Sequence, residues 1–326
     1  MDKRVRHLIR LLPAISCLLL LSSCGGDGVV GARHDSIAFV AGAATDFWTY
    51  AEAGCRKADA ELDQVTVTFK YTGDGASADQ RRIVDDLLVT GIDGLVITPL
   101  DAANQGPLVD MAAERVPVVI TDSDIPGSKR LCYIGTSNVE AGREAGRLIK
   151  EVLPNGGKIM LFVGKTDAQN AKERIQGLRE EIEGTDIEIL DIKTDDIDRV
   201  RAKANVNDAL VKYPDISCLV GLWSYNGPAI LNAVRDSGKL DQVPIVAFDE
   251  EEETINGVRD GHVYATIVQQ PFEFGYQSIR LLAHVLEGDR SEIPEDGRII
   301  IPTRVIRKSQ AEAFLKEIQS LRSSGN

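Results

Sequence analysis

One seven-residue pattern occurs twice, and it limits the fold more than any other feature. Val116-Pro117-Val118-Val119-Ile120-Thr121-Asp122 returns as Val243-Pro244-Ile245-Val246-Ala247-Phe248-Asp249. Each copy is an apolar run ending on an aspartate, the form of a short strand buried on both faces. The surroundings repeat as well. Strand 36–40 matches 158–163, and helix 47–62 matches 171–182. Strand 65–70 and helix 78–90 match strand 187–192 and helix 197–212, and strand 94–98 matches 217–222. Gln105-Gly106-Pro107, opening helix 107–115, is answered by Asn226-Gly227-Pro228. Strands alternating with helices of this length build a parallel sheet covered on both faces. Done twice, about 130 residues at a time, the pattern predicts two similar lobes rather than one large sheet.

The stretch 116–147 carries the chain out of the first lobe. A buried strand leads to a polar loop opening on Asp122, a second strand reaches Gly135-Thr136-Ser137-Asn138, and a helix follows with Ala141, Gly142, Ala145 and Gly146 at closely packing positions. After Asp249 come helix 254–259, strand 262–268, Gln269-Gln270-Pro271 and a long helix 272–286. That helix has no counterpart in the repeat, which places it back on the first lobe. Segments 299–303 and 304–306 read as a last strand, followed by a polar helix. Crossings near Asn138, Gln269–Gln270 and Pro302 give a first lobe of 35–137 plus 270–302 and a second of 138–269 plus 303–326. The expected class is α/β: two doubly wound parallel-sheet lobes joined by a three-strand hinge.

With 326 residues the chain has room for two cores. Its formal charge of −13 argues against nucleic acid or an anionic membrane surface as partner, since either would repel it. The N-terminus departs from the globular pattern. Lys3, Arg4, Arg6 and Arg10 surround the start of an apolar run, 8–21, too short to span a bilayer comfortably. A basic head, a short apolar stretch and a small-residue end make a secretory signal, 1–23. Its end, Leu21-Ser22-Ser23-Cys24, resembles the lipobox of bacterial lipoproteins, which implies cleavage before Cys24 and a lipid on that cysteine. Residues 24–34 then read as a lipidated, glycine-rich tether. The expected location is the periplasm or cell envelope, held to a membrane by the lipid. Cys55, Cys132 and Cys218 have no regular spacing, so neither a disulfide framework nor a metal motif is read from them.

In open parallel sheets the ligand sits beyond the carboxyl ends of the strands. The first lobe puts Thr45, Asp46, Phe47, Trp48, Thr98, Asp101, Asp122, Asp124, Thr136 and Asn138 there. The second puts Asp167, Gln169, Asn170, Arg174, Trp223, Ser224, Tyr225, Asn226, Asp249 and Gln269. The chain has only two tryptophans, and both fall in these loops. Flat aromatic faces suit the apolar C–H face of a sugar ring. Carboxylates with Asn, Gln and Arg suit vicinal hydroxyls, which donate and accept. Each residue also has a duller alternative. Asp122 and Asp249 can be helix N-caps, the latter heading an acidic first turn. Trp48 can pack between helix and sheet, and Arg174 can pair with a surface carboxylate.

The motifs at 38–48, 95–101, 116–124, 133–143, 170–178, 246–253 and 265–271 together resemble the periplasmic sugar-binding proteins of the ribose-binding type. The resemblance covers about 35–307. It implies a type I periplasmic-binding fold and a hinged cleft that closes on one small sugar, without a cofactor. It further implies a monomer that hands the sugar to an ABC permease. By that resemblance the stacking aromatics fall on Phe47 and Trp48, the hydroxyl-binding carboxylates on Asp122 and Asp249, the arginine on Arg174 and the hinge-side glutamine on Gln269. Asn138, Asn170 and Trp223 complete the expected set. The chain departs from the ribose pattern at Ser123, where arginine is usual, at Trp223-Ser224 and at Thr98. Fewer polar partners and an extra tryptophan point to a larger or less polar pyranose than ribose.

No catalytic constellation competes with this reading. Gly164-Lys165-Thr166 lacks the upstream glycine of a phosphate loop, and the four histidines have no ligand spacing. Asp195, Asp196 and Asp198 lack the glycine and final glutamate of a calcium loop. A sugar-responsive repressor would need an N-terminal helix-turn-helix where this chain has its signal. Two alternatives stay open: a protein that presents its ligand to a membrane receptor or kinase, and a binder of some other small molecule.

Overall fold

The computed structural model describes residues 34–42, 44–73 and 76–323. The signal segment 1–23, Cys24 and the tether as far as residue 33 lie outside the described residues.

In chain order the first half runs β1 (Asp35–Val40), α1 (Asp46–Glu61), β2 (Val65–Lys70), α2 (Ser77–Thr90), β3 (Gly94–Ile97), α3 (Gly106–Ala113), β4 (Val118–Thr121) and β5 (Cys132–Gly135). The second runs α4 (Asn138–Val152), β6 (Gly157–Val163), α5 (Gln169–Ile182), β7 (Ile187–Thr194), α6 (Arg199–Lys212), β8 (Ile216–Gly221), α7 (Asn226–Asp236), β9 (Ile245–Phe248), α8 (Glu252–Asp260) and β10 (Ala265–Val268). The chain closes with α9 (Pro271–Leu286), β11 (Arg298–Ile300), β12 (Arg304–Arg307) and α10 (Lys308–Ser323).

The repeat seen in the sequence is a repeat in topology. One sheet has the order β2-β1-β3-β4-β5-β11 and the other β7-β6-β8-β9-β10-β12. Every pairing is parallel except that of β12, which runs antiparallel to β10. In both sheets the chain starts one strand in from the edge and reverses direction across the sheet. The result is a switch point between β1 and β3 and another between β6 and β8, where loops diverge and leave a crevice. β3, β4, β5, β9 and β10 are buried along their whole length, as continuous apolar runs covered by helices should be.

Glycines let the helices approach one another backbone to backbone, in the same way in each lobe. A Cβ on Gly54 of α1 would stand 2.0 Å from the Phe272 carbonyl of α9, and one on Gly275 of α9 would stand 2.0 Å from the Ala51 carbonyl. Between α4 and α5, Gly142 would meet the Arg174 carbonyl at 2.1 Å and Gly177 the Val139 carbonyl at 1.9 Å. So α9 does return to the first sheet, packed on α1, β1, β3 and β5.

Three local expectations are corrected. The last strand is two strands in different sheets, β11 beside β5 and β12 beside β10, with the crossing between them. Helix α6 starts at Arg199 rather than 197, because Asp198 caps it by accepting from the Val200 and Arg201 N–H groups. Neither Asp122 nor Asp249 is a helix cap: no helix follows Asp122 directly, and α8 is preceded by Glu251.

Candidate ligand-binding cleft

Asp122 and Asp249 follow β4 and β9 directly, and both turn left-handed, with φ of 63° and 66°. Aspartate tolerates that conformation far better than a β-branched residue, and it ends each strand abruptly. The Asp122 carbonyl accepts from the Tyr133 hydroxyl (3.1 Å) and from Asn138 Nδ2 (3.3 Å). The Asp249 carbonyl accepts from Thr266 Oγ1 at 2.8 Å. With their backbones fixed in this way, the carboxylates meet groups from the second lobe. Asn170 Nδ2, at the start of α5, donates to Asp122 Oδ2 at 3.3 Å, a direct polar link between the lobes. Gln269 Nε2 donates to Asp249 Oδ1 at 2.9 Å.

Arg174 is 1% exposed, so the surface-pair alternative fails. Its Nε donates to Asn138 Oδ1 (2.9 Å) and its Nη1 to the Leu222 carbonyl (2.6 Å). Nη1 also lies 4.0 Å from Asp249 Oδ2, and the guanidinium stacks over the Phe248 ring at 4.5 Å. Asn138 therefore spends both ends of its amide inside the protein, on Arg174 and the Asp122 carbonyl. It braces the site from within.

Burial pushes the Asp122 carboxyl up to about 6; Arg174 opposes that rise and Asp249 adds to it. Burial raises Asp249 likewise, against Arg174 and the Gln269 hydrogen bond. Two carboxylates, Asp249 buried and Asp122 half-buried, thus share one guanidinium. Arg130, downstream of Asp122 in the same loop, is held by Asp124 in a two-pronged pair at 2.6 and 2.9 Å.

Phe47 and Trp48 are more deeply packed than a pair of exposed stacking faces would be. Each is 8% exposed, within the core cluster that includes Phe39 and Phe274, and the two rings meet edge to face at 4.8 Å. Trp48 also leans on Gly42, whose added Cβ would stand 2.9 Å from the indole nitrogen. The helix-to-sheet alternative thus describes most of Trp48, with only its rim left to a cleft. Trp223, half-buried, leans in the same way on Gly164 of the second lobe.

Several buried polar atoms here have no protein partner: Arg174 Nη2, Trp223 Nε1, Asn170 Oδ1, Gln269 Oε1 and the hydroxyls of Thr98 and Thr136. Two are donors, two are acceptors and two can be either. A groove of about 390 Å³ runs along α5, and Gln269 also lines a cavity of about 170 Å³ between α1, α9 and α10. Sequence reasoning missed one buried group, the carboxylate of Asp195, which accepts from Tyr225 and Asn226. Its only sequence signal was the placement of Tyr225 and Asn226 in a cleft loop.

A hinged pair of doubly wound lobes with polar groups facing from both defines a solute-binding protein. Residues 37–290 match the periplasmic binding protein domain family, and the chain belongs to it. The ribose import binding protein of Salmonella typhimurium is 28% identical over 221 residues, covering 67% of this chain and 74% of that protein. A glucose-galactose binding protein from Geobacillus stearothermophilus has a similar structure, with a TM-score of 0.80 and 26% identity over 85% of this chain and 98% of its own. An ABC transporter solute-binding protein from Burkholderia graminis, in complex with D-arabinose, has a TM-score of 0.81 over 86% of this chain and 97% of its own. At 24% identity that last likeness is one of fold. The resemblance read from the motifs and the two-lobed α/β class are thus both borne out.

Proposed function

We infer that this is an exported solute-binding protein that captures a small sugar between its lobes and delivers it to an ABC permease. One observation carries the reading: both lobes hold orphaned buried donors and acceptors at or just beyond the carboxyl ends of their parallel strands. A buried polar group without a partner costs about 1–3 kcal/mol, so such a set favours a ligand that both donates and accepts at closely spaced points. Vicinal hydroxyls do this, while a bare anion leaves the two acceptors unmatched and an apolar ligand leaves all six groups unmatched. The ribose-binding relative and the glucose-galactose binding structural neighbour support the same class.

In this reading Asp122, Asp249, Arg174, Asn170 and Gln269 bond the hydroxyls, and the rims of Phe47, Trp48 and Trp223 cover the ring. The lobes, 35–137 plus 270–302 and 138–269 plus 303–326, close about their three crossings, and the sugar stabilises the closed form. The protein acts as a monomer, anchored by a lipid on Cys24 and released from its signal 1–23.

A thermal-shift screen of the chain without its first 24 residues, against pentoses, hexoses, polyols and small disaccharides, tests the function. A sugar at 100 times its Kd adds about 2.7 kcal/mol of stability. A response confined to one sugar or a close pair is expected. A flat response across the panel removes the sugar reading.

A further inference from the structure

The loop that carries Trp223 is held from behind by a buried network outside the set of orphaned polar atoms. The Trp223 backbone N–H donates to Asn226 Oδ1 at 3.0 Å, and Asn226 Nδ2 donates to Asp195 Oδ2 at 3.1 Å. The Tyr225 hydroxyl donates to Asp195 Oδ1, which also accepts from the Ile197 N–H at 2.9 Å. Asp195 directly follows β7 and is 1% exposed. Beside this tie the Tyr225 and Trp223 rings meet edge to face at 6.4 Å. Beneath it lies Gly164, where a Cβ would stand 2.0 Å from Trp223 Cζ3 and 2.7 Å from the Tyr225 hydroxyl oxygen. In front, the Leu222 carbonyl accepts from Arg174. The indole is therefore flanked by a glycine and a tyrosine, and its backbone is tied through Asn226 to the Asp195 carboxylate.

We propose that Asp195 is a positioning residue for sugar recognition: through Tyr225 and Asn226 it holds Trp223 over Gly164 as a rigid wall that selects among sugars. This rests on the reading of the cleft as a sugar site. The chemistry calls for a carboxylate at this position. Three donors converge on its two oxygens, and an asparagine would offer one acceptor oxygen and turn an N–H₂ toward a donor. Three donors also offset the penalty of burying a charge. Arg199 lies over the Tyr225 ring at 5.5 Å and is paired with Glu251, so it does not compete for the carboxylate.

The test compares the wild type with Asp195→Asn and Tyr225→Phe in the exported chain. Calorimetry gives Kd for the preferred sugar and its nearest competitors, and acrylamide quenching of tryptophan emission reads the tie with no sugar present. Trp48, buried in the other lobe, supplies a constant background. Asp195→Asn is expected to bind about tenfold more weakly, the size of one hydrogen bond to a charged group. It should also narrow the Kd ratio between preferred and competing sugars and raise quenching; Tyr225→Phe should do the same to a smaller degree. A purely structural role would lower Tm and leave the ratio and the quenching untouched, and that result overturns the proposal. If Asp195→Asn fails to fold, Tyr225→Phe alone decides. If no sugar binds the wild type, the functional reading falls on the binding arm, and the quenching arm still judges the tie.

Discussion

Asp122 and Asp249 stand at matching places in the two lobes, each the first residue past the fourth strand of its repeat and each with left-handed backbone, φ 63° and 66°. The matching conformation lets a duplicated strand deliver one carboxylate from each side of a single cleft. Their surroundings differ. Asp249 has Gln269 on one oxygen and Arg174 beside the other, while Asp122 has Asn170 reaching across from the second lobe.

Replacing Asp249 by Asn keeps a residue that tolerates positive φ and removes only the charge. Sugar affinity should fall by about 2 kcal/mol, roughly thirtyfold in Kd, because hydroxyls lose a charged acceptor. The sugar-free protein should be no less stable, since a raised, buried carboxylate has been neutralised. Asp249→Ala should lose the same affinity and also stability, by strain at φ 66°. Calorimetry with thermal unfolding of both variants separates the two effects. Unchanged affinity in Asp249→Asn would remove this residue from the site.

Acid should favour the sugar-free folded state through Asp122. Its carboxyl sits at about 6 in the fold against an ordinary 3.8, so between those values the folded chain holds a proton that the unfolded chain has released. The contribution is fully present below about 3.8 and is lost as pH rises through about 6. Asp122→Asn has no such proton to lose. Its Tm should therefore exceed that of the wild type at pH 7, with the gap closing as pH falls toward 4. A gap that does not change with pH would place Asp122 in solvent rather than in a dry cleft.

Most of the fold was legible because it repeats. Two copies of one strand-and-aspartate pattern at a fixed distance from matching helices leave few topologies, and both sheets follow them in the same strand order. Arg174 could be named but not placed. Whether it faces solvent or core depends on the α4–α5 contact at Gly142, which joins residues far apart in sequence. Phe47 and Trp48 were legible as aromatics at a strand end, yet their depth depends on Phe274 arriving from the far end of the chain. The Asp195 network was hidden for a similar reason: three residues from two loops share it, and none forms a motif alone.

The lipid anchor proposed at Cys24 predicts a clean separation. The wild-type chain, expressed in a bacterium, should incorporate labelled fatty acid and sediment with membranes. Cys24→Ser should do neither while keeping its sugar affinity, because the lobes begin at Asp35. Equal sedimentation of the two would exclude a lipid on this cysteine.

Gly142→Ala should couple a packing defect to the site, and Gly54→Ala should not. Both substitutions push a Cβ against a carbonyl oxygen of the neighbouring helix, at 2.1 and 2.0 Å, so each must force its helix pair apart. Overpacking of this kind destabilises by about 1–3 kcal/mol. The carbonyl that Gly142 faces belongs to Arg174 itself, whose guanidinium must reach Asn138, Leu222 and Asp249 from that backbone. The carbonyl that Gly54 faces belongs to Phe272, which takes part in none of those polar contacts. Tm should fall in both variants, while sugar affinity should fall severalfold only in Gly142→Ala. Calorimetry well below either Tm isolates the binding effect. Equal affinities in the two variants would mean that Arg174 reaches its partners regardless of how α4 and α5 are packed.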